Sequence, residues 1–428
     1  MSELNIDHGG AISVDPDDLR RIGRRLDAVA VDYARASAAV ERAYAHVVDT
    51  PGLSAHIDLV GLWSLVESIS RIRDDCLDTV DGTLLMADVF EYVELQVESL
   101  MGGRSDAADA ARERMRRLED ADGRIPGMAE KLLDEWRGER FDGLMTQVLP
   151  AGFFAPVYLL SALIGGGSTL GVVPRGAVLH GSAEKVAVAP VTASTPSGAP
   201  NGLAGAVSRI PEKHGAQVAV EKYSFAGGAT TYVVYIKGTQ TFAPGDWGGR
   251  DPWDMKSNSE LYSGRMSASY ASTIAALETA GARPGDQVAI VAHSQGGAIA
   301  THLAMQSGYD VPLVITAGSP LDPTLSEEQT LVTLAHTDDP VRALSGGGSP
   351  GGAGSPESIA ITAEGDPGFT WGDAGRPHLL ESYVELAEEA DSSGDPRIAE
   401  LDAFWAHLDE AAVIERTAFR AERIVDAD

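Results

Sequence analysis

The sequence predicts an α/β protein: a mostly parallel sheet flanked by helices, preceded by an all-α region. Three observations carry this. Thr231–Ile236, Gln287–Ala292, Leu313–Ile315 and Thr330–Ala335 are short apolar runs of strand length. The second of them passes through Ser294 into an Ala/Gly-rich helix, Gly296 to Met305. Far upstream, Leu19, Ile22, Leu26, Val29, Tyr33, Ala36 and Val40 recur at alternating three and four residues, a heptad stripe made to pack on another helix.

Taken in chain order, Asp15 is the expected N-cap of the first helix and Pro16 its first residue. Asp49-Thr50-Pro51-Gly52 breaks that helix. A second long pattern begins near Ser54, carries Leu62, Val66, Ile69, Cys76, Val80 and Phe90, and stops at Gly102-Gly103-Arg104. Ser105 caps a charged helix to about Asp120, and another helix runs from about Gly127 to Arg137. Residues 1–140 are therefore expected to form a helical domain.

Residues 141–205 read as an apolar segment and a linker. No charged residue occurs between Leu144 and Val173. A bilayer span needs about 20 mostly apolar residues, but Pro150, Pro156 and Gly165-Gly166-Gly167 interrupt this run. A buried element is the favoured reading, and membrane contact through 144–173 is the alternative. Ala187–Gly205, rich in Ala, Pro, Ser, Thr and Gly, is expected to be linker or surface loop. Residues 206–395 hold the α/β domain, with a flexible loop at Ser345–Ser355. In 396–428, Leu401, Phe404, Trp405, Leu408, Val413, Ile414 and Phe419 suggest one amphipathic C-terminal helix.

Composition narrows the function classes. A chain of 428 residues, 44% hydrophobic, has room for two domains. A formal net charge of −30 repels nucleic acid and bare anionic membrane. A single cysteine, Cys76, excludes an intramolecular disulfide and a zinc–cysteine cluster. No P-loop, metal-ligand set or dinucleotide fingerprint is present, so no cofactor and no metal are expected. The first residues lack a basic region followed by an apolar stretch, which leaves a cytoplasmic location or export without a Sec signal.

The chemistry-bearing stretch is Val291-Ala292-His293-Ser294-Gln295-Gly296-Gly297. A serine on a sharp strand-to-helix turn stands clear of its backbone only if its neighbours are small. Ala292 occupies the position that is usually glycine, and Gly296 keeps the position two residues after the serine. A nucleophilic serine needs a base, and the base an orienting acid. Asp339 follows the run ending at Ala335, and His378 follows a Gly/Pro-rich loop at the mouth of a helix. Ser294 is thus the candidate nucleophile, His378 the base and Asp339 the acid. Asp338 and Asp322 are rivals for the acid, and His293 and His336 for the base. Asp246, Asp251 and Asp254, around Trp247 and Trp253, form either a substrate entrance or a solvated loop.

These motifs resemble the lipase-like branch of the α/β-hydrolases over roughly residues 215–390. The resemblance rests on the serine turn, Asp339-Pro340-Val341 after a strand, a histidine five residues before Tyr383, Gly238-Thr239 after the first strand, and Gly318-Ser319-Pro320. It implies an oxyanion hole from the backbone N–H of Gln295 and that of Thr239 or Gln240. It also implies a serine hydrolase that cleaves lipid or acyl esters through an acyl-enzyme. An inactive hydrolase-fold scaffold beside a helical interaction module is the alternative. The paired N-terminal helices resemble the WXG-type hairpins of actinobacterial type VII secretion substrates, which implies an exported effector, a helical-hairpin partner or a homodimer. The Trp-x-Gly turn of those hairpins is absent at Asp49–Gly52, and no acid lies four residues after Tyr92 or Tyr383.

Overall fold

The computed structural model describes residues 4–8, 16–101, 106–131, 171–212, 215–345, 353–367 and 375–424. The chain divides into two compact units. Ser13–Asp134 form one; Met1–Ile12 with Glu135–Asp428 form the other.

The helical unit is built on α1 (Pro16–Asp49) and α2 (Leu59–Met101), of 34 and 43 residues, followed by α3 (Asp106–Ala121). Contacts between Tyr44 and Trp63, Ser37 and Ser70, and Arg20 and Asp88 set α1 antiparallel to α2. The heptad reading is one residue out of phase on one edge. Gly23, Ala30 and Ser37 are buried, whereas Ile22 and Val29 are 48% and 43% exposed. The reason is close approach: the side chain of Leu84 lies where a Cβ on Gly23 would sit. Small residues let the two backbones come together and push the larger neighbours to the flank. Val89, Tyr92, Val93, Leu118, Ile125 and Ala129 form this unit's own apolar cluster.

The second unit is a nine-stranded sheet between two helical layers. Its strands are β1 (Asn5–His8), β3 (Val186–Ser194), β4 (Val218–Ser224), β5 (Thr230–Ile236), β6 (Gln287–His293), β7 (Leu313–Ala317), β9 (Thr330–His336), β10 (Ile359–Ala363) and β11 (Val413–Arg423), with β2 (Val172–Val173) and β8 (Asp322–Pro323) paired apart. The spatial order is β1-β10-β9-β7-β6-β5-β4-β11-β3. β5, β6, β7, β9 and β10 are mutually parallel; β4, β11 and β3 add an antiparallel flank and β1 an antiparallel edge. Alternate residues of β5 face opposite layers, as period-2 geometry requires. Tyr232, Val234 and Ile236 meet one apolar cluster, shared with α5 (Met255–Tyr262), α6 (Ala268–Ala280) and α7 (Gln295–Gln306). Val233 and Tyr235 meet the other, with α4 (Gly202–Val207), α8 (Leu380–Asp391) and α9 (Pro396–Asp409).

Three expectations are corrected here. Residues 1–140 are not all helical domain: Asn5–His8 forms β1, an edge strand paired with β10, and the helical unit spans Ser13–Asp134. Residues 396–428 are not one helix: α9 ends at Asp409, and β11 enters the sheet between β4 and β3. Phe419, Ala421 and Arg423 are buried on alternate positions, a strand period that the intervening charges had masked. Ala187–Gly205 is not a linker: it holds most of edge strand β3 and the start of α4, whose Leu203, Ala206 and Val207 are buried. Pro190 is accommodated because β3 is an edge and the register shifts beside it. Residues 144–170 of the uncharged segment Leu144–Val173 lie outside the described residues, as do 346–352 of the Ser345–Ser355 loop. No described helix is long and apolar enough to cross a membrane.

Candidate active site

The site forms at the C-terminal ends of the parallel strands, where loops from several strands converge. Ser294 joins β6 to α7 with φ 54° and ψ −121° and is the one described non-glycine residue at positive φ. Such backbone costs about 1–3 kcal/mol and persists only where packing enforces it. Packing enforces it here. The Ser294 N–H donates to the Ala317 carbonyl at 2.9 Å, and a Cβ on Gly296 would sit 2.5 Å from the Ile236 carbonyl oxygen. The small residue at 296 is therefore a requirement of helix-to-strand contact. At 292 alanine suffices, buried in the sheet core.

The Ser294 hydroxyl donates to His378 Nε2 at 2.8 Å, and His378 Nδ1–H donates to Asp339 Oδ2 at 2.7 Å. Asp339 comes from the turn after β9. It is fully buried and also accepts from the Tyr383 hydroxyl at 2.6 Å and the Val341 N–H at 2.7 Å. Burial favours the protonated acid, but the neighbouring His378 and these donors outweigh it and hold the carboxyl below its ordinary range.

The rival residues are engaged elsewhere. Asp338 accepts the N–H groups of Gly365 and Asp366 at 2.7 and 2.9 Å, with its pKa raised mainly by burial. Asp322 receives Arg342 at 2.8 Å. The two rival histidines hold the main chain around His378. His293 Nε2–H donates to the His378 carbonyl at 2.9 Å, and His336 Nδ1–H to the Pro377 carbonyl at 2.7 Å. Desolvation, followed by repulsion from His378, lowers His293 to about 3, so it stays neutral near pH 7. Strands β6 and β9 thus each anchor one carbonyl of the base-bearing loop.

The expected oxyanion donors lie at the ends of β5 and β6. The Gln295 N–H is in the first turn of α7, where helix amides lack intrahelical acceptors. Of the Thr239/Gln240 pair, the Gln240 N–H donates to the Trp253 carbonyl at 2.8 Å. That donor serves the fold, which leaves Thr239. The turn is braced further by Trp253 Nε1–H to the Lys237 carbonyl at 2.9 Å and Asn258 Nδ2 to Thr239 Oγ1 at 2.8 Å.

One side of the acidic, aromatic loop is framework. Asp254 caps α5 and forms a buried bidentate pair with Arg423 of β11 at 2.8 and 3.0 Å, and Trp253 is fully buried. Trp247 remains exposed. Sequence reasoning missed Arg423, whose contact has no local spacing to reveal it, and noted Tyr383 only by its distance from His378, without a role. Among the described residues, no group of His, Cys, Asp and Glu is arranged to hold a metal ion. No family model, curated protein or solved structure matches the chain.

Proposed function

We propose that this chain is a serine hydrolase of carboxylic esters, built on the α/β-hydrolase fold. The observation that carries the proposal is the continuous hydrogen-bonded line Ser294–His378–Asp339 running from a strained strand-to-helix turn. The order of parts along the chain supports it: nucleophile after β6, acid after β9, base after β10, as in α/β-hydrolases.

His378 Nε2 takes the Ser294 proton as Oγ bonds to the ester carbonyl carbon. The carbonyl oxygen becomes an oxyanion, for which the Gln295 and Thr239 N–H groups are the expected donors. His378, held in the Nδ1–H tautomer by Asp339, then gives its proton to the leaving alkoxide, and the acyl group stays on Ser294. Water repeats the sequence: His378 deprotonates it, the acyl–oxygen bond to Ser294 breaks, and Oγ regains the proton. Oxyanion donors of this kind supply about 3–4 kcal/mol of transition-state stabilisation. The uncharged donor set and the exposed Trp247 and Phe242 after the Thr239 turn favour neutral lipid or acyl esters as substrates. The long antiparallel pair α1–α2 supports reading the helical unit as a WXG-type hairpin serving as an interaction module.

The test is a panel of p-nitrophenyl esters of graded acyl length, run on the full chain and on Ser294→Ala. Hydrolysis by the first and not the second is expected. Equal rates would end the proposal, and no hydrolysis across the panel would favour the inactive scaffold.

A further inference from the structure

Asp339 differs from the buried carboxylates around it in what it bonds: Glu221, Asp254 and Asp322 receive guanidiniums and Asp338 two peptide N–H groups, whereas the partners of Asp339 are an imidazole, a phenol and one peptide N–H. Two of those donors converge on a single oxygen. His378 Nδ1 lies 2.7 Å and the Tyr383 hydroxyl 2.6 Å from Oδ2, while Val341 N–H holds Oδ1. Tyr383 is fully buried, and its hydroxyl accepts the His336 N–H of β9 at 3.3 Å. Its ring stacks on His336 with centroids 4.4 Å apart and an interplanar angle of 18°. Space for the pair is kept by Gly318, at φ 60°. A Cβ there would sit 2.8 Å from Tyr383 Cε2 and 3.1 Å from Asp339 Oδ2.

We infer that Tyr383 is a positioning residue of this site: its hydroxyl fixes the Asp339 carboxylate so that Oδ2 faces His378 Nδ1. The inference rests on the hydrolase reading and adds a residue to it. A carboxylate held only by Val341 could turn about its Cβ–Cγ bond, and the imidazole it orients would turn with it. The Tyr383 hydroxyl blocks that rotation because it is itself fixed, by the β9 backbone on one side and by its ring on His336 on the other. Tyr383 lies in the first turn of α8, five residues after His378, so base and positioner are carried on one short segment. A tyrosine serving packing alone would need only its ring; here the hydroxyl's donor function ends on the same atom that receives the imidazole.

The experiment is Tyr383→Phe in the full chain, which keeps the ring and removes the hydroxyl. Three quantities are read: kcat and KM on the best p-nitrophenyl ester, the first-order rate constant for fluorophosphonate labelling of Ser294, and the low-field proton resonance of His378 Nδ1–H. A hydrogen bond to a charged group has the size to change kcat about tenfold to a hundredfold. The expected result is a kcat and labelling rate reduced by that factor, KM changed less than about twofold, and a displaced Nδ1–H resonance. A urea unfolding curve of the variant gives its folded fraction, and the labelling rate constant divided by that fraction is the value compared, so partial unfolding is not counted as a positioning effect. An unchanged rate constant with an unmoved resonance would overturn the positioning role and leave the hydrolase reading intact. Absence of labelling in the unsubstituted chain would overturn both.

Discussion

Two carboxylates, Asp339 and Glu221, are both fully buried in the sheet unit, and they are neutralised in opposite ways. Glu221, on β4 in the antiparallel flank, receives Arg209 and Arg416 at 2.8 Å each, together with Tyr223 at 2.6 Å and Tyr235 at 2.9 Å. Its counter-charges are guanidiniums, which keep their protons at any working pH. Asp339, at the end of the parallel strands, has a titratable imidazole and neutral donors. The first arrangement is electrostatically closed and ties β4 and β11 to the turn after α4, which carries Arg209. The second can accept a positive charge when His378 takes a proton, which is what a base–acid pair in acyl transfer requires. A third buried acid, Asp338, is held by the backbone N–H groups of Gly365 and Asp366, so what sets Asp339 apart is its titratable imidazole partner and not the lack of a cation alone.

Substitutions can break that contrast at either site. The largest effect belongs to Ser294→Ala, which should lower ester turnover by several powers of ten and leave thermal unfolding within about 1 kcal/mol. Steady-state kinetics beside a denaturation curve checks both halves. Asp339→Asn comes next. It keeps the volume but loses the charge that orients His378, and about a 10⁴-fold fall in kcat is the scale for such a change. Asp338→Asn, one residue away but bonded to Gly365 and Asp366, should leave kcat within about tenfold. The reverse order would move the acid to Asp338.

Glu221→Gln should behave in the opposite sense. Breaking a buried ion pair from one side costs about 3–5 kcal/mol of stability because the remaining charges are left uncompensated. Urea unfolding should report that loss, while kcat of the still-folded protein stays near its starting value. A large fall in kcat with stability unchanged would erase the distinction between the two carboxylates.

Much of this arrangement was legible in the chain, for reasons that differ by residue. Ser294 stood out because a strained turn accepts few neighbours, and the small residues around it are a constraint written into the sequence. Asp339 and His378 followed from their places after a strand and before a helix; His378 lies within hydrogen-bond reach of Ser294, and Asp339 within reach of His378. Gln240 could not be separated from Thr239, because the relevant groups are backbone amides that side-chain identity does not encode. β11 was hidden since Val-Ile-Glu-Arg-Thr-Ala-Phe satisfies both a helical and a strand period, and only pairing with β4 and β3 decides between them. β3 was hidden because an edge strand of small and polar residues has the composition of a loop. The stripe of α1 slipped by one position because Gly23, Ala30 and Ser37 pack through their smallness, which a search for large apolar residues passes over.

A smaller effect separates framework from site by pH. His302, buried in α7, is lowered to about 4 by desolvation, partly opposed by the Leu261 backbone. An unfolded histidine titrates near 6.5. As pH falls from about 6.5 to 4, the unfolded chain binds a proton that the folded chain excludes, so stability falls, by up to about 1.4 kcal/mol per pH unit. His293 adds to the same window down to about 3. Asp339 acts lower: its carboxyl is held below the ordinary value, so its contribution is present above about pH 4 and is lost as pH falls through the folded value. His302→Gln should therefore flatten the urea-midpoint profile between pH 6.5 and 4 and leave the limb below pH 4 in place. An unchanged slope would show that His302 does not contribute.

The most direct measurement is the mass of the intact chain after treatment with a fluorophosphonate, followed by peptide mapping of the adduct. The expected result is one adduct per chain, located on Ser294, absent in Ser294→Ala, and formed much more slowly in Asp339→Asn. An unmodified chain, or an adduct that persists in Ser294→Ala, would contradict the assignment of Ser294 as an activated nucleophile.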